Sequence, residues 1–130
     1  MAEDKTLLYI VKENAITEII QIFLAAKLPD LKFKSISSLE EGRIFVEQNQ
    51  PDVILLDWEF PEFKSEEFLA WIKSEELLKN IPVIVEGTFS SYRQSYHRGD
   101  PGPLIIRGAD RIFMRPIAPA ELVEALNKII

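Results

Sequence analysis

Four stretches of this chain carry side chains able to do chemistry, and each ends or follows a β-prone apolar run. Asp57 closes Val53-Ile54-Leu55-Leu56, Lys12 and Glu13 follow Thr6–Val11, Glu86-Gly87-Thr88 follows Ile81–Val85, and Arg115 follows Arg111-Ile112-Phe113-Met114. A carboxylate can act as a nucleophile or hold a hard cation, a hydroxyl can donate to an anion, and Lys and Arg neutralise one. Asp57 taken alone reads more readily as a loop or helix cap, because Asp is common after strands. With no cysteine and one histidine, His97, thiol chemistry, disulfides and multi-histidine metal sites are excluded. No glycine-rich phosphate loop is present, which argues against a nucleotide-binding enzyme.

The elements that must position these residues follow from periodicity. Val53 to Leu56 is apolar without alternation, as in a strand buried on both faces of a helix-covered parallel sheet. Thr6–Val11 is a first strand, and Asn14 is expected to cap a helix running through Lys27. Leu31 to Ile36 alternates with lysines and reads as a more exposed strand near the sheet edge. Ser37 or Ser38 begins a helix to Asn49, and Ser65-Glu66-Glu67 has capping-box character before Phe68, Leu69, Trp71 and Ile72. Trp71, Phe68 and Phe63 are expected in core or loop packing. Ile81–Val85 and Arg111–Met114 supply strands four and five, and Pro119 opens the last helix.

Strands alternating with helices predict a doubly wound, five-stranded parallel α/β sheet. Right-handed crossovers bring all the strand ends to one edge, where ligands bind in such sheets. The fourth crossover is irregular: Gly99-Asp100-Pro101-Gly102-Pro103 cannot continue a helix, so a short turn and then a loop are expected. All 130 residues are expected to form one domain. The net charge of −6 argues against nucleic acid as a partner, and no apolar run is long enough for a membrane span. Without a basic signal-like N-terminus, the expected location is the cytoplasm.

The order of these motifs resembles the receiver domain of bacterial response regulators over essentially the whole chain. The resemblance rests on Pro51-Asp52-Val53-Ile54-Leu55-Leu56-Asp57, Pro61, Asn80-Ile81-Pro82-Val83-Ile84-Val85, Gly108 to Pro116 and the closing Glu121-Leu122 helix. It implies a flavodoxin-like fold and a phosphorelay role, with Asp57 accepting a phosphoryl group from a histidine kinase or phosphotransfer protein. Such a domain is not an enzyme beyond accepting the group and losing it again. The resemblance implies Mg²⁺ held by Glu13, Asp57 and the backbone carbonyl of Glu59, with Arg115, Thr88 and Lys12 around the phosphoryl site. Asp57 is expected exposed in an acidic notch, faced by cations from the first and last of these loops.

The chain departs from the family pattern at several positions. Lys12 stands where the first of two acids is usual, Gly87 where Thr or Ser is usual, Ile112 at the aromatic switch position, and Arg115 in place of a lysine. Thr88 substitutes for the missing hydroxyl only if the strand end is bulged. An ammonium about 4 Å from Asp57 is worth about 4 kcal/mol at an effective dielectric of about 20, before desolvation, so Lys12 could stand in for a metal. A second reading follows: a phosphorylation-independent interaction module with Asp57 ion-paired to Lys12 and Arg115. In the phosphorelay reading the 86–115 face signals to a downstream protein, and Tyr92, Arg93, Tyr96 and Arg98 are expected to form a basic, aromatic partner surface.

Overall fold

The computed structural model of the chain describes residues 4–12, 15–88, 92 and 106–130. The described elements are β1 (Lys5–Ile10), α1 (Ala15–Lys27), β2 (Leu31–Ile36), α2 (Leu39–Asn49), β3 (Val53–Asp57), α3 (Lys64–Ser74), β4 (Val83–Gly87), β5 (Arg111–Met114) and α4 (Pro119–Ile129). Five parallel strands lie in the order β2-β1-β3-β4-β5. The unalternating runs of β3 and β4 are buried along their whole length, and the lysine-bearing β2 lies at the edge.

Each strand divides its side chains between two cores, because successive residues point to opposite faces. Leu7, Tyr9, Val53, Leu55, Ile84 and Phe113 pack under α1 and α4, against Ile20, Leu24, Leu122 and Leu126. Leu8, Ile10, Ile54, Leu56, Val83 and Val85 pack on the other face, against Val46 of α2 and Phe68, Leu69 and Ile72 of α3. The chain leaves β1 for β2 on one side and returns to β3 on the other. That reversal opens the crevice between the ends of β1 and β3 in which ligands of doubly wound sheets bind.

The expected boundaries shift in two places that matter. β4 begins at Val83 because Pro82 has no N–H to give the ladder, although its carbonyl accepts from Ile54 N at 3.0 Å. Its other end runs on to Gly87, so Glu86 and Gly87 lie inside the strand and not in the loop after it. At α3, Ser65 sits in the first turn with no capping role, and the N-cap position is Phe63 in left-handed conformation. Ser65 Oγ instead donates to the carbonyl of Asp57 at 2.7 Å, tying α3 to the end of β3. Phe63 is 54% exposed and not part of a core, whereas Ser38 caps α2 as expected, accepting from Glu41 N at 3.1 Å. The expected Asn14 cap lies outside the described residues. Among those residues no helix is long and apolar enough to cross a membrane.

Candidate functional site

The two-residue period of the strands puts Tyr9, Asp57 and Glu86 on one face of the sheet, with Asp57 and Glu86 directly paired across β3 and β4. Arg115 extends β5 by one rung, its N–H donating to Gly87 O at 2.9 Å, before the cis peptide to Pro116. Its guanidinium reaches back over both acids. Nε donates to Glu86 Oε1 at 2.7 Å and Nη2 to Glu86 Oε2 at 2.5 Å, a fork that matches the carboxylate edge to edge. The same Nη2 stands 2.8 Å from Asp57 Oδ1.

Both carboxylates accept further bonds. Tyr9 Oη donates to Glu86 Oε2 at 2.9 Å. Asp57 Oδ1 accepts from Glu59 N at 2.7 Å, and Oδ2 accepts from Lys12 N at 3.1 Å. One guanidinium is therefore shared by two carboxylates that are essentially out of solvent: Asp57 is 0% and Glu86 1% exposed. Burial pushes the Glu86 carboxyl up from its ordinary range, opposed by the Arg115 hydrogen bonds. The hydrogen bond to Glu86 in turn holds the Arg115 guanidinium more firmly protonated than a free one.

The phenols of Tyr9 and Tyr92 are raised above the ordinary tyrosine value of 10.0, both chiefly by burial. A group whose folded pKa is raised contributes stability below its unfolded pKa that is lost as pH rises past it, so the loss begins above pH 10.0. Native protein should therefore ionise no more than one of its three tyrosines near pH 10.0, whereas the unfolded chain ionises all three. Ultraviolet titration of phenolate absorbance checks this, and two or three reversible ionisations near that pH in the native state would contradict it.

The expected site residues fall into three groups. Asp57, Arg115 and Lys12 are brought together, though Lys12 is exposed and meets Asp57 through its backbone N–H. Asp57 is not exposed in a notch: Arg115 and the Lys12 and Glu59 amides close over it. Thr88 is turned to Glu59, whose Oε2 accepts from Thr88 N at 2.8 Å and Oγ1 at 3.1 Å. The β4–β5 register runs one-to-one through Gly87↔Met114, so no bulge carries the Thr88 hydroxyl into the missing position. Tyr92, expected on a partner surface, is fully buried, its Oη donating to Phe113 O at 2.6 Å. Its ring belongs to the core under α2 and α3, which an aromatic of this size favours over solvent. Glu13, Arg93, Tyr96 and Arg98 lie outside the described residues.

Reading the sequence placed Glu86 at this edge without giving it a role, and did not bring Tyr9 to the site at all. A signal for Glu86 is present, because Val83-Ile84-Val85-Glu86 repeats the pattern of Val53-Ile54-Leu55-Leu56-Asp57, a buried run closed by an acid. Nothing in the local pattern of β1 distinguishes Tyr9 from a core residue.

Among the described residues, those around Asp57 do not fit Mg²⁺ as the resemblance implies, and Glu13, the expected side-chain ligand, lies outside them. A cation held by Asp57 needs a carboxylate oxygen facing it, and the guanidinium already supplies positive charge to Oδ1. Among the described residues no group of three or more His, Cys, Asp or Glu is arranged to hold a metal ion.

No protein-family model matches the chain. The polar-differentiation response regulator DivK of Brucella ovis is 29% identical over 80 residues, which make up 62% of this chain and 60% of DivK. The phosphate regulon transcriptional regulatory protein PhoB of Pseudomonas aeruginosa is 27% identical over 126 residues, 97% of this chain and 52% of PhoB. The chain thus spans only part of the length of these relatives. Among solved structures, the signal receiver domain of a DNA-binding response regulator from Colwellia psychrerythraea superposes with a TM-score of 0.78 at 20% identity, covering 96% of this chain and 97% of that one. The chemotaxis response regulator CheY4 of Vibrio cholerae gives 0.73 at 15% identity, over 97% and 98%. A complex of the histidine kinase ThkA with the response regulator TrrA gives 0.73 at 21% identity, over 97% and 98%.

Proposed function

We propose, from the premise that this chain is a receiver domain of the response-regulator family, that it serves two-component signalling as a constant docking module. In this reading Asp57 stays ion-paired and is not turned over as a phosphoacceptor. The observation that carries the reading is the 2.8 Å contact between Arg115 Nη2 and Asp57 Oδ1, on a carboxylate with no exposed surface. A nucleophilic carboxylate must present a free oxygen to phosphorus, and a metal must neutralise the transferred group. Arg115 occupies Oδ1 and already supplies positive charge there, Lys12 N bonds Oδ2, and the Thr88 hydroxyl bonds Glu59.

The partner class is a histidine kinase or phosphotransfer protein, bound without group transfer, and the domain performs no turnover of its own. The similarity to a receiver solved with its kinase supports this class. On the outer face of α1, Ile19 is 53% and Ile22 64% exposed one turn apart. A downstream protein partner is proposed for the 86–115 stretch, on its basic and aromatic composition alone. Mg²⁺ is usual at the phosphorylated aspartate of receivers, and here its role falls to Arg115.

Incubation with acetyl phosphate and Mg²⁺ followed by intact mass measurement tests the reading. The expected result is an unchanged mass. A labile phosphoryl adduct that disappears in Asp57→Asn would overturn it and restore Asp57 as a phosphoacceptor, with Arg115 as the cation on the transferred group.

A further inference from the structure

The disagreement between this site and Mg²⁺ has its origin in a residue outside the expected set. We infer that Glu86 is the positioning residue that fixes Arg115 on Asp57 and so excludes a divalent cation. The inference rests on the constant-module reading and names the residue responsible for it.

The assignment follows from how the guanidinium is held. Two of its three contacts go to Glu86, in a fork through Nε and Nη2, and only one goes to Asp57. The Glu86 carboxylate is itself immobile, since it lies on a strand bonded to both neighbours, is 1% exposed and takes a third bond from Tyr9. The Arg115 side chain keeps 27% of its surface in solvent. A single contact to Asp57 fixes neither the plane nor the rotation of a guanidinium with that access to water, so a divalent cation can compete for it. The fork to Glu86 makes two charge-assisted bonds where Asp57 takes one, and it fixes the plane of the guanidinium as well as the distance. Asp57 alone therefore does not hold the guanidinium against a metal, and Glu86 does.

Replacing Glu86 by Val removes the fork and leaves an apolar side chain of the kind that fills the rest of β4. Replacing it by Gln keeps the size and the polar contacts but removes the charge. Trp58, buried and adjacent to Asp57, reports on the site once Trp71 is changed to Phe. In that background Mg²⁺ is titrated into the parent, Glu86→Val and Glu86→Gln proteins, with near-ultraviolet circular dichroism to establish folding. The parent is expected to give a flat emission response. Glu86→Val should give a saturable one, at least tenfold tighter than any in the parent, and Glu86→Gln a weaker gain in the same direction. Should Glu86→Val fail to fold, Glu86→Gln decides. A flat response in folded variants beside a flat parent overturns the role of Glu86 and leaves the constant-module reading intact. A saturable response in the parent itself overturns the exclusion of the metal, and with it that reading.

Discussion

Arg115→Ala should destabilise the protein by about 3–5 kcal/mol, the cost of removing one partner from a buried ion pair. The loss of attraction is the smaller part of this. The larger part is what remains: Glu86 and Asp57 face each other across β3 and β4, both out of solvent, with no cation between them. Adding Glu86→Val to Arg115→Ala should recover part of the loss, because one of the two orphaned charges goes and their mutual repulsion with it. Urea unfolding of the two single variants and the double variant measures all three terms. A cost under about 1 kcal/mol for Arg115→Ala would mean that the pair behaves as an exposed one, and the account of the lock would not survive it.

The second large effect is expected at Tyr92. Tyr92→Ala should cost about 3–5 kcal/mol, as for other fully buried aromatic side chains, and Tyr92→Phe about 1 kcal/mol for the lost hydrogen bond to Phe113 O. The contrast between the two separates ring from hydroxyl. An exposed interface tyrosine would instead leave unfolding unchanged and weaken only partner binding, so a stability effect within about 0.5 kcal/mol for Tyr92→Ala would return it to the surface. The hydroxyl bonds a carbonyl on β5 two residues before Arg115. Tyr92 thus anchors the strand that delivers the guanidinium.

Much of the architecture was legible because it depends on patterns with a fixed period. The unbroken apolar runs of β3 and β4, the lysine alternation of β2 and the punctuation by Pro82 and Pro119 fix which segments are buried strands, which is an edge and where helices start. The carboxyl edge as the place of Asp57 and Arg115 follows from parallel topology alone. Segment ends were less legible. Glu86 read as a loop residue because acids are rare inside strands, and only its pairing with Asp57 and its fork with Arg115 make a buried acid there tolerable. Ser65 read as a cap because its neighbours fit a capping box, but the Asp57 carbonyl was the better acceptor.

What the sequence by itself determined is the set of charges and the sheet edge that collects them: Asp57, Lys12, Glu86 and Arg115 each sit at a strand end by local pattern. What only the tertiary structure decided is which of them pair. Strand register placed Glu86 beside Asp57, and the rung beyond β5 put a single guanidinium within reach of both. Contacts between residues 29 and 58 positions apart carry no signature in any local window. They arise where strand order and side-chain parity coincide, and that is a property of the folded sheet.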